Sequence, residues 1–264
     1  MDRRDVLRTL GAAGALSAAG PVARVAWAAT KRSVADTPVI LECAINGSTT
    51  KAVNPLAPET AEELTAEIIR CLDAGATIIH CHSNQPNEDP KIAAESYMEV
   101  FRPVWRKHPQ AILYATANFD PKEYNRTRRV WPGKVQCGHH RILAEAGLAN
   151  MVLFDTGVVP LAGYDERGKP GPESAFYWYG FWPDDWQVIM QICDDLGTGT
   201  SISVFEPGWM KNVVAMARAG TLPRGSKLNI YFAPYSFAAM APPIPEALEL
   251  YLKMMEGLDL KWSV

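Results

Sequence analysis

The sequence predicts an α/β chain, a (β/α)8 TIM barrel that breaks off within its seventh strand. Three observations carry this. From Pro38 onward, short apolar runs alternate with helical patterns, which implies a parallel sheet with right-handed crossovers. No G-x-G-x-x-G or P-loop follows the first strand, so an open nucleotide-binding sheet loses its usual support and the barrel is preferred. The alternation reaches seven strands and six helices and then stops, which leaves the last unit out of the count.

The elements follow in order. Val39 to Ile45, bounded by Pro38 and Gly47, reads as a buried strand; Thr60 to Asp73 puts Leu64, Ile68, Cys71 and Leu72 on one helical face and ends at Gly75. Ala76 to His82 is the next strand, Ala93 to Lys107 a helix, Ile112 to Thr116 a strand, Arg141 to Ala146 a helix and Met151 to Phe154 a strand. Helices over Asp184 to Leu196, Met210 to Ala219 and Pro245 to Glu256 then alternate with strands over Ser201 to Phe205, Lys227 to Phe232 and Lys261 to Val264. Two long segments, Asp120 to Gly138 and Val158 to Pro183, read as irregular loops. In a barrel, loops that follow strands build the active face.

The N-terminus is a separate matter. Arg3-Arg4, an Ala/Gly/Leu stretch to Gly20 and the small-x-small site Ala26-Trp27-Ala28 form the pattern of a twin-arginine export signal. Residues 1–28 are therefore expected to be a signal peptide, 29–37 a linker, and 38–264 a single barrel domain lacking its last unit. The expected destination is the periplasm, or the cytoplasm if the signal does not function. No window reaches the roughly 18 apolar residues of a membrane span, so no stable membrane insertion is expected after signal removal.

Of 264 residues, 48% are hydrophobic and 21% charged, with 26 basic against 29 acidic side chains. That balance, without any block of like charge, argues against nucleic acid as a partner and for a small molecule. A homo-oligomer is expected. The five cysteines include no C-x-x-C and read as ordinary buried thiols.

The sharpest chemical signal is His80-Cys81-His82. Residues two apart on a strand face one side, so both imidazoles converge where strand meets loop, which in a barrel is the catalytic mouth. They suit a divalent metal such as Zn²⁺ with a third protein ligand, or else form a polar pair lining a wet barrel end. Glu42, a carboxylate inside an apolar strand, must be paired or metal-bound and is a candidate third ligand. Other strand ends offer Asn46, Thr116, Asn118, Asp155, Thr156 and Glu206; we take Thr116 and Asp155 as catalytic candidates and Asn46 and Glu206 as substrate-binding ones. Each also serves equally well as a loop cap. His108, His139 and His140 read as solvated.

Val39-Ile-Leu-Glu-Cys-Ala-Ile-Asn-Gly47, Asn54-Pro-Leu-Ala-Pro58 and Ala74-Gly-Ala-Thr-Ile-Ile-His-Cys-His82 together resemble the β-keto acid cleavage enzymes, the 3-keto-5-aminohexanoate cleavage enzyme family. The likeness extends over residues 38–264. It implies a (β/α)8 barrel with Zn²⁺ at its C-terminal mouth, held by His80 and His82. The reaction it implies is retro-Claisen acyl transfer from a β-keto acid to acetyl-CoA, giving acetoacetate and a new acyl-CoA. Thr116 matches a serine or threonine at the substrate. The alternative is a non-catalytic exported barrel that binds a metal or small ligand.

Overall fold

A computed structural model describes residues 39–47, 49–83, 87–118, 131–169 and 177–264. The signal expected over 1–28 and the linker over 29–37 lie outside them. The chain divides into residues 1–40 and a compact unit of 41–264, and the architecture below is that of the second.

Strand β1 (Glu42–Ala44) is followed by α1 (Ala61–Asp73), β2 (Ile78–Cys81), α2 (Pro90–Lys107) and β3 (Ile112–Ala115). Thr60 and Glu63 form a reciprocal capping box at the start of α1, and Asp89 with Pro90 opens α2; such caps satisfy the unpaired N–H groups of a first turn. The three strands pair in parallel in chain order. Their outward residues Ile79, Cys81, Leu113 and Ala115 pack under α1 and α2 with Ile68, Phe101 and Val104.

Next come α3 (Gly133–Gln136), α4 (Gly138–Glu145), β4 (Met151–Asp155), a hairpin of β5 (Val158–Leu161) and β6 (Tyr177–Gly180), and α5 (Pro183–Leu196). The chain finishes with β7 (Gly199–Val204), α6 (Pro207–Ala219), β8 (Lys227–Ile230), α7 (Pro245–Met254) and β9 (Lys261–Ser263). A second parallel sheet runs β4-β7-β8-β9. The Asn150 N–H donates to the Leu113 carbonyl at 3.2 Å, linking the foot of β4 to β3.

The strand-helix alternation read from the sequence is therefore present, as two parallel sheets. The closed barrel is not: among the described residues no ladder joins β9 to β1. The first strand is also shorter than expected. Its ladder covers only Glu42–Ala44, it lies at the edge of its sheet, and Val39, Ile40 and Leu41 are exposed. The segment Val158 to Pro183, expected to be irregular, opens and closes with the β5–β6 hairpin. Gly180 in that hairpin has φ 121°, a conformation disfavoured for any side chain, and a Cβ there would collide with the Gly157 carbonyl. This close approach seats the hairpin against the end of β4.

Candidate active site

The inward faces of the strands carry polar side chains in two levels. In the lower level Glu42 of β1 accepts hydrogen bonds from the Tyr114 hydroxyl of β3 and, at 2.5 Å, from Lys227 Nζ of β8. Lys227 also donates to Ser201 Oγ at 3.0 Å and Asn229 Oδ1 at 2.9 Å, so all three ammonium protons have partners. Burial lowers the lysine pKa, and Glu42 opposes the shift. Glu42, the odd carboxylate of the first strand, is thus paired, with both its oxygens engaged by Tyr114 and Lys227.

The upper level holds the H-x-H pair. His80 stacks on the Tyr114 ring with centroids 4.6 Å apart, and the Nε2 atoms of His80 and His82 face one another at 3.1 Å. Burial lowers both pKa values, His82 to about 4. For His80, the charges of His82 and Lys227 push further in the same direction. Both rings are therefore neutral at pH 7, the form in which imidazole binds metal.

A tetrahedral zinc with Zn–N bonds of about 2.0–2.1 Å holds two ligand nitrogens about 3.3 Å apart, close to the observed separation. The pair fits two positions of such a site. Nδ1 of His80 is buried and makes no hydrogen bond of good geometry, although the Tyr114 backbone approaches the ring. Among the described residues no group of three His, Cys, Asp or Glu side chains is placed to hold a metal.

The remaining candidates are dispersed. Asn46 Nδ2 donates to the His82 carbonyl at 3.0 Å while its Oδ1 accepts from the His82 N–H at 2.9 Å; its amide grips the His82 backbone from both sides. Thr116 is buried beyond β3, its carbonyl bonded to His139 Nε2 at 2.8 Å. Glu206 accepts from the Met240 N–H at 2.9 Å and so ties the end of β7 to the loop after β8. Asn118 binds Asn87 and Val135 carbonyls, and Thr156 Oγ1 donates to the Trp209 carbonyl.

Asp155 differs. It ends β4 opposite Ser203 of β7 and is fully buried, and its oxygens make no hydrogen bond of good geometry. Burial pushes its pKa up to about 7; the Ser203 and Tyr179 hydroxyls offset part of the shift and Asp185 adds to it. A carboxyl group poised near neutrality can both take and return a proton.

His139 and His140, expected in solvent, are fully buried at the start of α4. Their rings lie 4.1 Å apart and His139 stacks on Tyr97 of α2 at 5.7 Å. Polar composition pointed outward, but packing against α2 and the bond to Thr116 hold them in. His108 is partly buried beside Asp73 at 3.0 Å.

Sequence reasoning missed Tyr114, Lys227, Ser201, Asn229 and Ser203. The last four carried a signal, because Lys227 and Asn229 alternate with Leu228 and Ile230, and Ser201 and Ser203 with Ile202 and Val204. Period-two polarity inside a parallel strand marks a polar interior face.

A family model described as beta-keto acid cleavage enzyme matches residues 38–264. Among solved structures, the apo form of ObcA matches with a TM-score of 0.50 and 16% identity, covering 78% of this chain and 47% of ObcA. Its binary complex with oxaloacetate gives the same TM-score, identity and coverage of this chain. Its ternary complex with a C4-CoA adduct and oxalate matches at 0.50 and 17% identity. The chain spans about half the length of these proteins.

Proposed function

Because the chain belongs to the β-keto acid cleavage enzyme family, we propose that it carries out zinc-dependent cleavage of a β-keto acid, passing the acyl group to acetyl-CoA and releasing acetoacetate. The observation that carries this reading is the meeting of two neutral imidazoles, His80 and His82, with Nε2 atoms 3.1 Å apart at the end of β2. ObcA has been captured with oxaloacetate and with a C4-CoA adduct. Oxaloacetate carries a keto group β to one carboxylate, so both ligands suit the reading.

In this proposal His80 and His82 hold the metal, which when bound polarises the substrate keto group as a Lewis acid. Asp155 takes a proton from the methylene between the keto group and the carboxylate. That carbon then bonds to the acetyl carbonyl of acetyl-CoA and CoA thiolate leaves. The thiolate attacks the substrate's own keto carbon, and the bond between that carbon and the former methylene breaks, giving the acyl-CoA. Asp155 returns its proton to the carbon of the departing acetoacetate. Thr116 supplies a hydroxyl to the substrate, and Asn46 contributes by holding His82.

The test is direct. Zinc-loaded protein incubated with a panel of β-keto acids and acetyl-CoA is followed by mass spectrometry for acetoacetate and acyl-CoA. Product from the wild type that disappears in Asp155→Asn supports the proposal. Ligand binding without turnover would make the protein a non-catalytic binder instead.

Export through a twin-arginine signal in residues 1–28 is part of the same proposal. Replacing Arg3 and Arg4 by lysine should strand the protein in the cytoplasm, and unimpaired processing of that variant would refute it.

A further inference from the structure

The parallel ladder between β2 and β3 ends at the pair Cys81 and Ala115. Cys81 is buried there, as are Cys137 and Cys193, whereas Cys43 and Cys71 are partly exposed, which corrects the expectation of five buried thiols. One more rung would pair His82 with Thr116 through two bonds, from the Thr116 N–H to the Cys81 carbonyl and from the Ser83 N–H to the Thr116 carbonyl. The first is present at 3.3 Å. In place of the second, side chains meet both groups. The Ser83 N–H donates to the Tyr97 hydroxyl of α2 at 2.9 Å, and the Thr116 carbonyl bonds His139 Nε2 of α4 at 2.8 Å.

The two substituting side chains form one unit. Both are buried, and their rings stack with centroids 5.7 Å and planes 20° apart. A carbonyl only accepts, so His139 Nε2 carries the ring proton; burial lowers the imidazole pKa to about 4, and the neutral ring has no other N–H. Phe101 at 5.7 Å from the Tyr97 ring and His140 at 4.1 Å from the His139 ring pack against the stack. A backbone rung would satisfy the same two groups without any side chain. Here two aromatic residues from different helices open it, at the strand ends that carry His82 and Thr116.

We propose that Tyr97 and His139 are positioning residues, a wedge that stops β2 and β3 from pairing one residue further, so that His82 and the Thr116 hydroxyl stand apart and admit the substrate between them. The inference rests on the reading of His82 as a metal ligand and of Thr116 as the hydroxyl at the substrate. What a closed rung would do is visible two residues back. His80 and Tyr114 are register partners on the same face, and their rings stack at 4.6 Å. His82 and Thr116 lie on that face too, because side chains alternate along a strand, and pairing them would bring them into the same direct contact, with no room for a keto group between. Neither wedge residue touches the substrate; each acts through the backbone it holds.

The experiment compares the wild type with Tyr97→Phe, His139→Leu and the double variant, each as the full chain. The crystal structure of the double variant should show the Ser83 N–H bonded to the Thr116 carbonyl, with the ladder longer by one rung. At equal zinc content, calorimetry should find acetoacetate, the product of the proposed reaction, bound roughly ten- to a hundredfold more weakly than by the wild type. KM for the β-keto acid should rise more than kcat falls. His139→Gln, whose amide N–H can meet the Thr116 carbonyl in place of the imidazole, should restore most of the loss. Where the double variant fails to fold, Tyr97→Phe carries both expectations, since a carbonyl accepts two hydrogen bonds and Thr116 can take the freed Ser83 N–H beside His139. Strand ends that stay as they are in the wild type, or a rung that closes with acetoacetate affinity unchanged, would overturn the proposal. A wild type that binds no acetoacetate refutes the proposed reaction instead, and the ladder alone then decides the wedge.

Discussion

Lys227 Nζ lies 2.5 Å from Glu42 Oε2, joining β8 to β1, two strands that share no ladder and stand 185 positions apart in the chain. The contact spans the interior between the two sheets. Side chains at 12% and 18% exposure make it a partly buried ion pair, held more firmly than a surface pair and costly to break by removing one partner.

Lys227→Met should therefore destabilise the protein by about 2–3 kcal/mol, because Glu42 loses its cation and one of its two hydrogen-bond partners. Adding Glu42→Gln to the same chain should recover at least half of that loss. Urea unfolding of the wild type, single and double variants measures both. A double variant as unstable as the sum of the two singles would show that the pair is not coupled.

The order of strands and helices was legible in the sequence because apolar period and helix-ending glycines are local signals: Thr60 and Gly75 bracket α1 as expected, whereas the apolar period places the start of α2 at Ala93, three residues inside the helix that Asp89 and Pro90 open. His80 and His82 were legible because the strand period forces residues two apart onto one face. What fixes their surroundings was not. The burial of His139 and His140 depends on α2 and on Thr116, and the pairing of Glu42 depends on a lysine from β8. Neither leaves a trace in the local pattern around the residue concerned. The length of β1 was over-read for a similar reason, since an apolar run shows what could be buried and not how far its partner strand extends.

Asp155 should make the protein less stable at high pH than at low pH. Its folded pKa of about 7 lies above the ordinary carboxylate value, so the folded state holds the proton more tightly and stability falls as pH rises from about 4 through 7. Asp155→Asn removes that cost. The variant should gain roughly 4 kcal/mol over the wild type at pH 8 and much less at pH 4, while losing turnover. Unfolding curves at the two pH values check the sign, and a gain that is equal at both would dismiss a titrating Asp155.

Zinc, or a similar divalent ion, should copurify with the wild type and be absent from a variant carrying His80→Ala and His82→Ala. Because His82 titrates at about 4, protons compete weakly with metal at neutral pH. Affinity should stay nearly flat from pH 8 to pH 6 and fall below pH 5. Elemental analysis and a chelator competition series measure these. Equal metal content in the wild type and the double variant would remove the two histidines from the site.

Asn46 offers the finest test of how the site is held. Its amide bonds both the N–H and the carbonyl of His82, so it fixes the backbone from which one imidazole projects without needing to touch a metal. A group that orients a ligand typically contributes ten- to a hundredfold in metal affinity, whereas losing two hydrogen bonds to a partly exposed backbone lowers stability by only about 1–2 kcal/mol. Asn46→Ala should therefore weaken zinc binding at least tenfold while the fold survives, leaving the thermal transition cooperative. The split between the two readouts is what matters. If affinity for the metal is unchanged and only stability drops, Asn46 is a structural clasp for the β1–α1 turn and has no part in positioning His82.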